Sequence, residues 1–300
     1  MSAYDILLAR LNAGEICVID GGTGTELERR GVPQLENAWN GGGTLSHPDL
    51  LRDIHLDYIN VGAQVIISNT FAASRHALAD AGQEALFEEY TRQAVQLACE
   101  ARAASGRADV LVAGGISYWS WTGKHVPLDV LDHNIKEQAR IMADSGADVL
   151  MLEMMIDVDK MMVALRAAQT AGLPVWVGLS LRTNRDGALL LYNEDTLADA
   201  LDALRGTDVP LISIMHTRIE YIDACLDVVA KHWDRYAGVY AHSGEFEGDT
   251  CKFETTVSPD IYAADCKRWL ERGVSLIGGC CGMGPDHIKA LAGLRRGGSG

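Results

Sequence analysis

The sequence lacks the features that would place the chain in a membrane or against a nucleic acid. It contains no apolar run long enough to span a bilayer, and its first residues lack the basic and then apolar pattern of a signal peptide. The chain has only 26 Lys and Arg but 41 Asp and Glu, so its net charge is −15. Because nucleic acids and anionic membranes attract Lys and Arg, we expect no nucleic-acid and no membrane partner.

A disulfide framework is also missing. The seven cysteines are odd in number and are spread along 300 residues without framework spacing. This usage favours a reducing, cytoplasmic setting. The length and an apolar content of 48% fit one large domain with a sizeable core.

Two of the cysteines, Cys280 and Cys281, are adjacent and lie between glycines near the C-terminal end. Adjacent cysteines cannot easily share a strain-free disulfide, because its geometry separates the two Cα atoms. Adjacent thiolates can instead bind one soft metal ion, and flanking glycines let the backbone bend to aim them. The alternative is that both side chains are buried as small hydrophobic groups.

Eight short apolar runs alternate with longer stretches of helical spacing. Each run is continuous rather than alternating, as is typical of strands buried on both faces, and the runs recur at the spacing of βα units. They predict a (β/α)8 barrel over residues 1–296, with a flexible tail at 297–300. An open doubly wound sheet is the alternative, but no GxGxxG motif follows any of the runs. The predicted strands are residues 17–20, 64–69, 110–114, 149–153, 175–180, 211–216, 238–242 and 275–279.

The ends of these runs carry an unusual set of polar residues. Functional groups of such barrels lie at the carboxyl ends of the strands, where we expect Asp20, Thr70, Glu153, His216, His242, Cys280 and Cys281 to meet. His216 and the two cysteines would give zinc three protein ligands and leave the fourth position open, the pattern of catalytic sites. Thiolates favour Zn²⁺ over magnesium or calcium, and a substrate thiol in the open position would lose its proton. A lone histidine is nevertheless more often a hydrogen-bonded structural group.

Three further features predict substrate contacts. The glycine-rich turn that begins at Asp20 and Gly21 could cradle an anionic group with its amides, or it could be a structural turn. Glu153 could pair with a substrate ammonium group, or with a neighbouring loop. The loop 117–123, which contains Trp121, is rich in aromatic residues, whose faces attract onium cations. Aromatic residues that simply cover the barrel mouth are the alternative.

These motifs give the chain a clear resemblance to the homocysteine S-methyltransferase family over essentially its whole length. The matching stretches are DGGTGTELERRG at 20–31, Trp39, His55 and Gly62-Ala63, ISNTFAAS at 67–74, LEMM at 152–155 and GGCCGMGPDHI at 278–288. The resemblance implies a (β/α)8 barrel that moves a methyl group from a sulfonium or ammonium donor to the zinc-bound thiolate of homocysteine. It further implies that Cys280 and Cys281 are zinc ligands, and that Asp20, Thr70 and Glu153 hold the amino acid part of the thiol acceptor.

Two positions depart from the family pattern. The third zinc ligand of the family is usually a cysteine at the end of the sixth strand, where this chain has His216. The seventh strand usually ends in Tyr-x-Asn, where this chain has Tyr240 and His242, which makes His242 a rival ligand or a partner of the ligand. The chain ends soon after the eighth run, which favours a sulfonium donor such as S-methylmethionine. The alternatives are a zinc hydrolase with a metal-bound water, and a non-catalytic barrel that binds zinc or a thiol.

Overall fold

Eight parallel strands form one sheet, and together they confirm the barrel predicted from the sequence. The structure, a computed structural model, describes residues 2–247, 250–252 and 256–294. The strands are β1 (Cys17–Val18), β2 (Val65–Ile67), β3 (Leu111–Ile116), β4 (Val149–Met155), β5 (Val175–Leu179), β6 (Leu211–Arg218), β7 (Tyr236–His242) and β8 (Leu276–Ile277). Around the sheet the strand order is β1-β8-β7-β6-β5-β4-β3-β2, and a parallel bridge between Ile19 and Val65 joins its two ends.

Helices surround the sheet, and their starts follow capping rules. Ser2, Asp157, Thr196 and Ser258 each accept a hydrogen bond from a backbone N–H in the first turn of the helix that follows. The helices are α1 (Ala3–Asn12), α2 (Thr23–Arg29), α3 (Gly43–Ser46), α4 (Pro48–Asn60), α5 (Arg75–Asp80), α6 (Phe87–Ser105), α7 (Leu128–Asp144), α8 (Val158–Gln169), α9 (Leu197–Arg205), α10 (Ile219–His232), α11 (Pro259–Glu271) and α12 (Pro285–Ala292). Short 3-10 helices cover Asn40–Gly42 and Glu84–Leu86. No helix within the described ranges is long and apolar enough to cross a membrane.

Apolar side chains fill the barrel interior, so a substrate can bind only at the end of the barrel that α1 does not cover. Trp176 and Leu211 fill the interior with other apolar side chains, and α1 covers the amino end of the strands with Leu7 and Leu11. A second apolar layer lies between the strands and the outer helices. The carboxyl ends of the strands therefore form the rim on which a functional site can be built.

Two short antiparallel hairpins are added to the barrel. Leu181–Thr183 pairs with Leu189–Leu191 directly after β5, and Glu245–Glu247 pairs with Thr250–Lys252 after β7. Both follow the carboxyl end of a barrel strand, so both lie on the side of the rim. The predicted tail at 297–300 lies outside the described residues.

Candidate active site

Three ligand atoms meet at the rim. The Nδ1 atom of His216, at the end of β6, lies 3.5 Å from Sγ of Cys280 and 3.6 Å from Sγ of Cys281. The two sulfur atoms are 3.9 Å apart. Among the described residues this is the one group of three or more His, Cys, Asp and Glu side chains whose ligand atoms lie close enough to share a metal ion.

These separations match a tetrahedral zinc ion. Zinc binds thiolate sulfur at about 2.3 Å and imidazole nitrogen at about 2.0–2.1 Å, so tetrahedral angles place two sulfurs about 3.8 Å apart and sulfur about 3.6 Å from nitrogen. The donor set also fits, because two thiolates and an imidazole suit zinc better than magnesium or calcium. A hydrogen bond with Cys281 is the main cause that holds the pKa of the Cys280 thiol well below its ordinary value. A hydrogen bond to His216 and the charge of that ring lower the pKa further. The site thus favours thiolates, the form that binds metal.

The backbone of β6 is bent to aim His216 at the cysteines. The pairing of β6 with β7 shifts register between Met215 and Arg218, and His216 has a φ of 43°. A non-glycine residue in this left-handed region costs of order 1–3 kcal/mol and persists where the surroundings hold it. The hydroxyl of Ser180 donates to the carbonyl of Met215, and Thr217 accepts from the backbone of Leu181. These bonds hold the strand on both sides of the strained residue.

His242 lies beside His216 and outside the group of ligand atoms. The ring centroids are 4.6 Å apart, with an angle of 35° between the planes. Burial lowers the pKa of His242 to about 3, while its hydrogen bond to the main chain of His216 acts in the opposite direction. A neutral ring that packs against the ring of His216 and bonds to its backbone can support the strained conformation of that residue.

The loop that carries the two cysteines packs closely against β1 and the turn that follows it. A Cβ at Gly278 would clash with Ile19, and one at Gly21 would clash with the carbonyl oxygen of Met283. The amide of Gly22 donates to that same carbonyl over 2.9 Å. The two glycine-rich motifs of the sequence therefore contact each other, and the missing side chains are what allows it.

This contact predicts the effect of a single methyl group. Gly21→Ala is expected to destabilise the folded protein by about 1–3 kcal/mol, because the new Cβ must displace either the Met283 carbonyl or the ring of Tyr58. Urea unfolding measures the change. Gly206→Ala is the control, because a Cβ at Gly206 meets nothing within 4 Å and its φ of −83° suits any residue. A Gly21→Ala variant as stable as the wild type would show that the two loops can separate freely.

Two carboxyl groups lie beneath the cysteines inside the barrel. Asp20 accepts a hydrogen bond of 2.7 Å from the amide of Ile67, and it is 1% exposed. Glu153 is 7% exposed, and a Cβ at Gly115 would clash with its Oε2 atom. Burial raises the pKa of both carboxyl groups well above the ordinary range, and the charge of Cys280 adds to this effect. No Lys or Arg of the described chain forms an ion pair with either, so a substrate cation could compensate them.

Comparison with known proteins identifies the family at this point. Residues 17–294 match the family model described as homocysteine S-methyltransferase. The chain belongs to the homocysteine S-methyltransferase family. Homocysteine S-methyltransferase 1 of Zea mays is 27% identical and is aligned over 100% of both chains. Selenocysteine Se-methyltransferase of Brassica oleracea var. italica is 26% identical over 93% of this chain and 88% of that protein.

Solved structures agree with the sequence comparison. The homocysteine methyltransferase MmuM from Escherichia coli, in a metallated form, is similar with a TM-score of 0.78 and 27% identity, over 95% of this chain and 98% of that one. Its oxidised form has a TM-score of 0.79 at 28% identity. As a member of the homocysteine S-methyltransferase family, the chain is a methyltransferase that acts on small molecules, with a homocysteine-like thiol as acceptor.

Thr70, which the family resemblance assigned to the acceptor, forms its hydrogen bonds with other groups of the protein. Its hydroxyl is fully buried, donates to the carbonyl of Gly115 over 2.7 Å and lies 2.9 Å from the hydroxyl of Ser68. These contacts join the loop after β2 to Gly115 on β3, the glycine whose missing side chain leaves room for Glu153. Its side chain thus shapes the wall beside the two carboxyl groups of this methyltransferase.

The aromatic residues of the mouth divide into two pairs. Trp121 lies edge to face with Phe71, with ring centroids 6.0 Å apart. Trp119 lies edge to face with Tyr192 at 5.8 Å. Phe71, Trp119, Tyr192 and Cys280 all pack against the apolar core inside the barrel. Of the two tryptophans, the sequence analysis singled out Trp121, but Trp119 is the one that packs on this core, beside Tyr192.

Sequence analysis did not single out Tyr192 and Arg182, which lie near the cysteines in the segment after β5. The charges of Cys280 and Cys281 reach Tyr192, and the guanidinium of Arg182 lies 4.6 Å from its ring centroid. The available signal was Asp186-Gly187, a combination typical of hairpin turns.

Proposed function

We propose that this methyltransferase transfers a methyl group from a sulfonium donor such as S-methylmethionine to the thiol of homocysteine at a zinc centre. His216, Cys280 and Cys281 would hold the ion. The observation that carries the proposal is the separation of their three ligand atoms, 3.5–3.9 Å, which equals what tetrahedral zinc requires. Zinc bound there would supply positive charge that lowers the pKa of an incoming thiol.

The chain's own residues would orient the acceptor. Asp20 and Glu153 lie deep, carry no basic partner among the described residues, and sit close enough to Cys280 for its charge to raise their pKa values. An amino acid ammonium group placed between them would satisfy both carboxylates and fix the direction in which the thiol extends. A homocysteine-like acceptor, with a short chain between ammonium and sulfur, suits this arrangement.

The transfer itself needs no further acid or base on the chain. The acceptor sulfur attacks the methyl carbon, and the bond from that carbon to the donor sulfur breaks. The electron pair stays on the donor sulfur, which leaves as a neutral thioether, while the acceptor proton goes to solvent. With S-methylmethionine and homocysteine both products are methionine. The apolar layer of Trp119 and Tyr192 would contact the onium methyl groups and exclude water.

A hydrolase at the same site is less favoured. Two thiolate ligands donate electron density to a metal ion and so weaken its ability to acidify water. We expect a reducing, cytoplasmic setting for either activity, because a soft metal site of Cys280 and Cys281 works only while both thiols stay reduced.

The experiment is a labelled methyl-transfer assay with metal removal. Protein loaded with zinc is expected to convert homocysteine and S-methylmethionine labelled in both S-methyl groups into two molecules of labelled methionine, one from each substrate, and chelator-treated protein is expected to lose that activity until zinc is restored. An ester hydrolysis assay on the same samples gives the comparison. Undiminished methyl transfer after complete metal removal would contradict the proposal, as would hydrolysis without methyl transfer.

A further inference from the structure

The hairpin after β5 is a rigid part of the rim. Leu181 and Leu191 pair across its two strands and are each 2% exposed, so their side chains anchor it to the barrel. The amide of Leu181 donates to Thr217 on β6, one residue beyond His216. A side chain on the opposite face of this hairpin is therefore held at a fixed position beside the metal ligands.

Arg182 is that side chain. It follows Leu181 directly and so points to the other face, where its Nη2 atom donates to the carbonyl of Tyr192 over 2.9 Å. Its guanidinium lies 4.6 Å from the centroid of the Tyr192 ring. These two contacts orient an exposed cation, yet they use one of its five donors and leave the others for a ligand.

Tyr192 connects this cation to the reaction centre. Its ring contacts Trp119 edge to face, and both rings pack against the apolar core of the barrel, as Cys280 does. Burial raises the pKa of Tyr192 to about 12, and the charges of Cys280 and Cys281 add to the effect of burial while Arg182 opposes it. Arg182 and the two cysteines therefore lie near the same tyrosine ring.

Most arginines of the described chain pair with an acid, and Arg182 does not. Arg218, which lies just past His216, forms an ion pair of 2.6 Å with Glu220, but no carboxylate in the described ranges lies within ion-pair distance of Arg182. In a chain with a net charge of −15, an oriented arginine without an acidic partner at a substrate mouth is an anion-binding group.

We propose that Arg182 binds the carboxylate of the methyl donor and thereby makes the enzyme select onium donors that carry a carboxylate over those that lack one. This inference rests on the proposed function. Asp20 and Glu153 occupy the inner end of the site, so the acceptor lies there and the donor must enter from the mouth. Transfer requires acceptor sulfur, methyl carbon and donor sulfur in line, so the rest of the donor extends outward past Trp119 and Tyr192 toward Arg182.

The charge of Arg182 also discriminates between donors. A zwitterionic sulfonium gains a charge-assisted hydrogen bond to the guanidinium, whereas a sulfonium without a carboxylate meets only a like charge. S-methylmethionine and its decarboxylated analogue, (3-aminopropyl)dimethylsulfonium, make this comparison with the same reacting centre.

The experiment measures donor binding and donor KM in wild type and Arg182→Gln. We expect the variant to bind S-methylmethionine about tenfold more weakly by calorimetry without acceptor, and to raise its KM by the same factor while kcat stays near wild type. Binding of the decarboxylated analogue is expected to stay unchanged or to tighten. Arg182→Lys is expected to recover part of the loss. Arg185→Gln, an exposed arginine in the turn of the same hairpin, is the matched control and is expected to behave as wild type.

The outcomes separate the inference from the proposed function. If wild type transfers methyl groups but Arg182→Gln keeps the wild-type ratio of affinities for the two donors, Arg182 is not the carboxylate-binding group. An equal loss for both donors, or the same loss in Arg185→Gln, would also overturn it. A wild-type protein that uses neither donor would overturn the proposed function and the inference together. Thermal unfolding of each variant confirms that the hairpin remains folded.

Discussion

Cys280→Ser is expected to lose its zinc and to lower kcat/KM for methyl transfer about a thousandfold, which corresponds to about 4 kcal/mol. The hydroxyl of serine is a poor ligand for zinc at neutral pH, and the change removes one of the three ligand atoms that lie 3.5–3.9 Å apart. Cys281→Ser is expected to behave in the same way. Metal analysis of the purified protein and the labelled assay measure the two effects.

The matched control is Cys99→Ser, which changes another partly exposed cysteine. Cys99 contacts the carbonyl of Gly146 between two outer helices, far along the chain from the metal ligands, and a serine hydroxyl can make the same hydrogen bond. This variant is expected to keep its zinc and its activity. Equal zinc content in Cys280→Ser and Cys99→Ser would show that Cys280 is not a ligand.

The same measurements distinguish the roles of the two histidines of the rim, His216 and His242. His216→Ala is expected to lose zinc as the cysteine variants do, because Nδ1 of His216 faces both sulfur atoms. His242→Ala is expected to retain most of its zinc, since His242 stacks on His216 and bonds to its main chain without joining the ligand group. The reverse order of zinc loss would make His242 the ligand.

Glu153→Gln is expected to raise the KM for homocysteine about a hundredfold, while kcat at saturation changes little. The amide fills the same space but cannot neutralise a buried ammonium group. A hundredfold change is about 2.7 kcal/mol, somewhat less than the cost of about 3–5 kcal/mol for breaking a buried ion pair, because Asp20 still faces the ammonium group. The control is 4-mercaptobutanoate, which is homocysteine without its amino group. Its affinity is expected to be weak in both proteins and nearly equal.

The same variant is expected to be more stable than wild type when no acceptor is bound. Burial raises the pKa of Glu153 in the folded state, so the folded protein binds its proton more tightly than the unfolded chain does. Stability therefore falls as the pH rises above the unfolded pKa of about 4.3, and glutamine removes that loss at neutral pH. A variant that is less stable at pH 7, with an unchanged KM for homocysteine, would show that Glu153 has a structural role.

The sequence was sufficient for the fold and for the grouping of the three proposed metal ligands, because both depend on local patterns. Buried parallel strands appear as continuous apolar runs, and each of the eight predicted runs overlaps a strand of the barrel. The carboxyl ends of parallel strands share one rim, so His216, Cys280 and Cys281 could be brought together from their positions in the runs alone. Their measured separations agree with that prediction.

The parts that were missed depend on contacts between distant segments. The helix α2 begins in the glycine-rich turn, and it forms where the turn packs on the loop of Met283, some 260 residues later. The hairpin after β5 is fixed by burial of Leu181 and Leu191 against the barrel, which no periodicity in so short a segment reveals. Whether Trp119 or Trp121 packs against the barrel core depends on the path of an irregular loop, for which spacing gives no rule.

Zinc K-edge X-ray absorption with and without homocysteine tests the central claim most directly, namely that the acceptor thiol reacts at a metal held by His216, Cys280 and Cys281. Without homocysteine, the zinc is expected to have two sulfur neighbours at about 2.3 Å and imidazole nitrogen at about 2.0–2.1 Å. Addition of homocysteine is expected to increase the sulfur neighbours to three. A sulfur shell that homocysteine leaves unchanged, in protein that is active in methyl transfer, would contradict the claim.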